Sequence, residues 1–372
     1  MQDNPFCYAP WTQLYVRSTS KTKPKSSNET EFSPCCEWKG NPVYHNIAER
    51  EKSTQWQEIK TAMIKQDMTL LSSTCAECIE AEERNKKSAR IQINKRVKNK
   101  WWHLGEINQL DFRPSNLCNM KCAMCSPSNS SLIAKERGVK VYQFDASDVY
   151  NLDLSKLKTL KIVGGEPSIQ PEAYDFLNYL IKTYKNLPDL HFTSNMTNTN
   201  KKWTDVINKF DCVCINMSID GTGETFEYLR QPGRWHSIEK NIKTMKQIQT
   251  KHKDLELKYQ VTVGAIALLT VKNWLPYFIK DKLESEFYPI QGDDSGTIDS
   301  IPPKYITPVA EYLAGVKHQY ARDLLKIIHN AGPYKNFKHK QFVSKTIYLD
   351  GIRKRNVNTL SPQIESFMKD IG

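Results

Sequence analysis

The chain has 372 residues, a formal net charge of +12 with 25% of residues charged, and 39% hydrophobic residues. That length admits two domains. No run approaches the roughly 18 uninterrupted apolar residues of a membrane span, and the opening Met1-Gln2-Asp3-Asn4-Pro5 lacks the charged-then-apolar layout of a secretory leader. The expectation is a cytoplasmic protein with no membrane partner.

Residues 1–100 differ in texture from the rest. Ser18 to Pro34 is rich in Ser, Thr, Lys and Pro and reads as a long turn between two short strands. Asn46 to Leu71 carries Ile47, Trp56, Ile59, Met63, Ile64 and Leu70, with helical spacing over its latter half. Ala81 to Val97 is charged, rich in helix formers, and reads as a connecting helix.

From Ile107 short apolar runs alternate with amphipathic stretches, which is the pattern of βα units and a parallel sheet. The strand candidates are Leu110–Phe112, Leu160–Val163, Leu190–Thr193, Val213–Ile219, Leu257–Leu268 and a weaker Phe287–Ile290. Helices are expected at Ser130–Arg137, Glu172–Tyr184, Lys202–Lys209, Ser237–Lys251 and Trp274–Lys282. Six units in so short a span suit a partial barrel better than a closed eight-stranded one, which takes about 250 residues. The expected fold is therefore α/β: a partial (β/α)6 TIM-type barrel over 101–290, preceded by a small Cys-rich α+β metal-binding domain over 1–100. Residues 291–372 form a mostly helical extension of no assigned role, with Tyr305–Ile328 helical and Gln341–Ile347 a strand or a helix.

Ten cysteines in a chain without a leader point to metal or redox use rather than a disulfide framework. Cys118, Cys122 and Cys125, spaced C-x3-C-x2-C, follow a strand that Pro114 ends. Three thiolates on one loop hold three irons of a four-iron cluster and leave one open, whereas closed sites take four. Forty residues on, Val163-Gly164-Gly165-Glu166-Pro167 follows the next strand. Its glycines let backbone approach a ligand.

The cysteine spacing and the Gly-Gly-Glu-Pro element together resemble the radical S-adenosylmethionine (SAM) enzymes. That resemblance implies a [4Fe–4S] cluster on Cys118, Cys122 and Cys125, with SAM on the open iron. It implies that Gly164, Gly165, Glu166 and Pro167 meet the SAM amino group, that Ser218 and Asp220 lie near its ribose with Asn195 close by, and that Arg230 holds its carboxylate. Asp220-Gly221-Thr222 also reads as a cap and turn, and Arg230 as a surface arginine. The implied reaction is reductive cleavage of SAM to methionine and a 5′-deoxyadenosyl radical, which abstracts hydrogen from a substrate. Its electron comes from a reductant such as flavodoxin or ferredoxin.

Cys7, the pair Cys35-Cys36, and Cys75-x2-Cys78 make a second set. Adjacent residues of an extended chain face opposite ways, so one of Cys35 and Cys36 completes a closed site of four. The arrangement resembles the twitch or SPASM-type auxiliary domains, here placed before the barrel, and implies a second [4Fe–4S] cluster; structural zinc would use the same ligands. Cys212 and Cys214, alternating with apolar residues, read as buried small hydrophobes rather than ligands.

The resemblance implies a peptide or protein substrate that is oxidised or cross-linked, with a small molecule as an alternative. The basic clusters at Lys21, Lys23 and Lys25, at Lys86 to Lys100, at Lys201 and Lys202, and at Lys240 to Lys258 read as solvated faces. Together with Trp101 and Trp102 they also admit an RNA substrate. A non-catalytic zinc module would explain the thiols but not the Gly-Gly-Glu-Pro element.

Overall fold

The computed structural model describes residues 6–17, 19–20, 30–83, 87–143, 147–290 and 296–370. Lys21, Lys23, Lys25, Lys86 and most of the expected turn after Ser18 lie outside them. One sheet organises the molecule. Its strands are β1 (Gln13–Arg17), β2 (Thr30–Ser33), β3 (Val43–His45), β4 (Gln109–Arg113), β5 (Thr159–Ile162), β6 (Asp189–Ser194), β7 (Cys212–Ser218), β8 (Asp254–Val263) and β9 (Glu284–Pro289). Their order is β9-β8-β7-β6-β5-β4-β1-β2-β3.

The strands β4 to β9 run parallel and in chain order, each expected from the sequence. Their helix-facing residues are continuous apolar runs. Phe112, Ile162, Phe192, Ile215 and Val261 pack with Phe176, Trp203, Ile242 and Phe278 of the covering helices in one core. The other face is polar, with Asp111, Lys161, His191, Cys214 and Glu256 contributed by successive strands in register. A closed barrel usually fills that space with branched apolar side chains; this partial barrel does not.

The structure departs from or refines the expectations in five places. The sheet crosses the boundary expected near residue 100: β1 pairs in parallel with β4, Gln13 opposite Gln109 through Arg17 opposite Arg113. The strands β2 and β3 then extend the sheet antiparallel. The run to Leu268 is not all strand, because β8 ends at Val263 and a buried helix, Ala265–Leu269, follows Gly264. Residues 305–328 form two helices, Pro303–Gly315 and Gln319–His329. Asn336–Arg353 is helical throughout. Finally, Cys214 is buried as expected and Cys212 half-buried, but both lie on the polar face among Asp189, Asp254 and Glu256, not in the apolar core with Val213 and Ile215. Strand alternation decides it: the even-numbered positions 212 and 214 share the face that Val213 and Ile215 do not.

Among the described residues no helix is long and apolar enough to cross a membrane. Trp102 is buried and stacks under Arg96, whereas Trp101 is exposed.

Candidate active site and second thiol pocket

Cys118, Cys122 and Cys125 occupy the loop after β4, at the carboxyl end of the parallel strands. The loop is built from its own short-range bonds. Ser130 caps the helix Ser131–Glu136 and donates to Met120 O at 2.8 Å, and Cys118 N donates to Ser131 Oγ at 3.3 Å. Lys121–Cys122 pairs antiparallel with Arg230–Gln231. From the other side Gln170 reaches in, its Nε2 donating to the carbonyls of Gly164, Ser115 and Leu117 at 3.0, 3.1 and 3.2 Å. Nothing in the local sequence marks Gln170 for this part.

All three thiols are raised by burial, Cys118 to about 11 and Cys125 to about 12, with neighbouring thiols adding to the shift at these two and Asp220 at Cys122. Grouped free thiolates are therefore disfavoured, and a metal group bound here would have to displace protons while supplying the positive charge that the loop lacks. Two polar side chains face the sulfurs: Arg230 Nη1 lies 3.7 Å from Cys122 Sγ, and Asn195 Nδ2 lies 3.9 Å from Cys118 Sγ. Among the described residues no three His, Cys, Asp or Glu side chains converge on a single-ion site. A cubane asks for less, since each thiolate takes its own iron.

The Gly-Gly-Glu-Pro turn follows β5. Gly164 and Gly165 have φ of +83° and +47°, and a Cβ on Gly165 would run into Leu117 O and the Gln170 amide. Glycine there lets the two loops touch. Glu166 is fully buried and accepts four hydrogen bonds, from Ser168 Oγ (2.5 Å), Ser168 N (3.3 Å), Ser194 Oγ (2.8 Å) and Asn195 N (2.6 Å). Its carboxylate is committed to the protein, so what this turn presents to a ligand is backbone.

Asp220, also fully buried, accepts Arg230 Nε at 2.7 Å on one oxygen and Thr262 N at 2.7 Å on the other. The expected cap-and-turn role gives way to this pairing. Arg230 is buried rather than on the surface. Ser218 is half-buried at the end of β7, on the polar face.

Beside the cysteine loop opens a mainly apolar pocket whose walls include Ala123, Met124, Thr262, Gly264, Ile266 and Phe342. The last comes from the helix Asn336–Arg353, so the extension to which the sequence assigned no role closes one side of the site. The expected strand Leu257–Leu268 runs through the small residues Gly264 and Ala265; a backbone cleared of side chains at a strand end is the available signal.

With this geometry in place, residues 112–268 match the family model of the radical SAM superfamily. Residues 112–268 are a radical SAM domain. That superfamily works with a [4Fe–4S] cluster and SAM, and the radical SAM match begins in β4 and ends in the helix after β8. None of the curated proteins matches the chain. Among solved structures, native anSMEcpe with bound AdoMet is similar at a TM-score of 0.41 and 18% identity, covering 67% of this chain and 62% of that one. Streptococcus suis SuiB bound to S-adenosylmethionine is similar at 0.41 and 13%, covering 81% and 68%. SuiB bound to its precursor peptide SuiA gives 0.40 and 14%, with 81% and 69% covered. The chain spans 62% of the length of the first of these, and likeness at this level does not say what the chain acts on.

A second thiol pocket lies in the first hundred residues. Cys7, Cys35, Cys75 and Cys78 line it together with Trp38 and Arg90. Burial raises all four thiols, Cys7 to about 12 and Cys75 to about 11. Cys36 is not among them. It is exposed, and its ionisable neighbours are Asp111, Lys161 and Glu37. Arg90 is held by Glu82 through Nε at 3.0 Å and Nη2 at 2.5 Å, while its Nη1 is buried with no hydrogen-bond partner among the described residues. A spare buried N–H in the wall of a four-thiol pocket fits an anionic thiolate-bound group there.

Proposed function

We propose that Cys118, Cys122 and Cys125 hold a [4Fe–4S] cluster with SAM at its open iron, and that the enzyme takes a hydrogen atom from a peptide or protein, leaving it oxidised or cross-linked. The observation that carries this reading is the buried three-thiol loop, with Arg230 against Cys122 and Asn195 against Cys118, opening on an apolar pocket. When bound and reduced, the cluster supplies the electron that splits SAM into methionine and a hydrogen-abstracting 5′-deoxyadenosyl radical.

The side chains have separate tasks around that chemistry. Arg230 is a fixed positive group for the SAM carboxylate, and Asp220 is its positioning residue. The backbone of Gly164–Pro167 faces the amino group, and the apolar pocket by Met124 and Ile266 suits a flat heterocycle. The polar face of Asp111, Lys161, His191 and Glu256 suits a substrate rich in amides and charges, and argues against a lipid.

Oxidation of a substrate needs a place for a second electron after the hydrogen atom has left. In this reading the pocket of Cys7, Cys35, Cys75 and Cys78 supplies it with a second [4Fe–4S] cluster, and the Arg90 N–H steadies that cluster's negative charge. Zinc would take the same four thiolates and make the site structural.

Anaerobic reconstitution with iron and sulfide counting tests both parts. About eight irons are expected in the wild type and about four in Cys118→Ala/Cys122→Ala/Cys125→Ala. A colourless protein would sink the proposal, while about four irons falling to none would return the second pocket to zinc. Cys35→Ser is expected to lose the second set of irons and Cys36→Ser to keep it, read by the same count.

A further inference from the structure

Three cations on the polar face of the sheet are already held. Lys258 on β8 meets Glu256 at 2.9 Å and Glu284 at 3.0 Å. Arg17 on β1 meets Glu31 at 3.6 Å, and Arg113 on β4 donates to Asn129 Oδ1 at 2.8 Å. Lys161 on β5 is different: it makes no side-chain hydrogen bond and no ion pair among the described residues. His191 stands opposite it in register on β6, and its ring has no hydrogen-bond partner there either. Both residues are half-buried, yet neither the Lys161 ammonium nor the His191 ring is a buried polar group lacking a partner, so both heads reach solvent inside the partial barrel.

The acids around this pair are engaged elsewhere. Asp111, opposite Lys161 on β4, is buried and accepts Gln109 Nε2 at 2.7 Å. Glu256 is the partner of Lys258, and Asp189 is exposed at the start of β6. Arg96, from the helix Ala89–Lys98, adds a second cation without an ion pair: its guanidinium lies 4.7 Å over the Trp102 ring, and Nη1 donates to Gln109 Oε1 at 3.3 Å. Burial holds His191 below the ordinary imidazole range, and Lys161 and Arg96 add to this against Asp189 and Glu256, so near pH 7 the ring is neutral and offers one N–H. An ammonium half out of water with no counter-charge, beside a neutral N–H donor, suits an incoming carboxylate.

The position says which carboxylate. At about 3.3 Å per residue, Lys161 lies roughly 7 Å below Val163, on the strand that leads into the Gly-Gly-Glu-Pro turn. In the other direction Lys161 is an ionisable neighbour of Cys36, and the adjoining Cys35 lines the second thiol pocket. A carboxylate resting on Lys161 therefore has its carbon chain between the two thiol sites, where a substrate attacked from one and oxidised by the other must lie. We propose that Lys161 and His191 form a carboxylate subsite for the substrate, and that the peptide acted on places an acidic side chain or its own free carboxyl end there. This rests on the reading of the polar face as the substrate's place and adds to it the charge of the group that is held.

The test is equilibrium binding by calorimetry on the full-length reconstituted enzyme, with no turnover. The probes are alanine pentapeptides blocked at both ends with Glu, Gln or Lys at the centre, and an all-alanine pentapeptide with a free carboxyl end. Wild type is expected to bind a carboxylate probe about tenfold more tightly than the Gln probe. Preference for the Glu probe assigns the subsite to a side chain, and preference for the free-ended probe assigns it to a chain terminus. Lys161→Gln should erase the preference, Lys161→Arg should keep it, and Lys161→Glu should turn it toward the Lys probe. Equal affinity of wild type for the carboxylate and Gln probes would overturn the proposal, as would no binding of either carboxylate probe at about 10 mM. A preference that survives in Lys161→Gln would overturn it too, since diffuse attraction to a chain of net charge +12 would then be the cause. Iron counted on the same samples keeps the two readings apart: a colourless wild type that still prefers a carboxylate would defeat the radical SAM chemistry and leave the subsite standing.

Discussion

Replacing Asp220 with Ala is expected to lower the stability of the metal-free chain by about 3 to 5 kcal/mol, because it strands the Arg230 guanidinium without its buried counter-charge. Both partners are enclosed, with side-chain exposures of 9% for Arg230 and 0% for Asp220, so solvent screens little of the loss. The substitution also frees Thr262 N, which Asp220 accepts at 2.7 Å. Removing both charges, Asp220→Asn/Arg230→Met, should recover much of that stability while leaving SAM binding weak. Urea unfolding of wild type and both variants, set beside SAM affinity of the reconstituted forms, separates the two effects. An Asp220→Ala chain as stable as wild type would refute the argument.

Glu166→Ala is expected to cost on the order of 4 kcal/mol, since it leaves two hydroxyls and two backbone N–H groups without their buried acceptor. Those donors come from Ser168, Ser194 and Asn195, on two successive strand-end loops. Loss of the carboxylate therefore loosens the junction from which Asn195 reaches toward Cys118. Glu166→Gln should fall between, because its amide keeps one acceptor and turns an N–H toward existing donors. Denaturant midpoints of the three chains check the order. Indifference to the substitution would mean that Glu166 is not the brace of the turn.

Much of this was legible in the sequence because it rests on local pattern. The six parallel strands announce themselves through apolar runs that one buried face requires, and the cysteine loop through its spacing, its place after a strand and the Gly-Gly-Glu-Pro element that follows. What escaped depends on partners far along the chain. Pairing of β1 with β4 joins residues about ninety positions apart, and no periodicity in Gln13–Arg17 names that neighbour. Cys35 and Cys36 are chemically the same; only the turn after β2 decides which thiol meets Cys7. Arg353 and Glu136, 217 residues apart, show nothing locally of the bond that ties the extension to the cysteine loop. Asp220 and Arg230 each suit a ligand contact by residue type, and only the fold shows that they pair with each other.

The continuity of the sheet from β9 through β3 bears on how such a protein can be taken apart. An amino-terminal unit joined by a linker could be removed, grafted or exchanged while the catalytic half went on working. Here the cut after residue 100 would strip β1 from β4 and bare a row of backbone donors and acceptors, an invitation to associate with other chains. The sheet that carries the cysteine loop after β4 also carries β1 and β2, whose flanking residues Cys7 and Cys35 line the second thiol pocket. A truncated radical domain is expected to aggregate rather than to turn over without its neighbour.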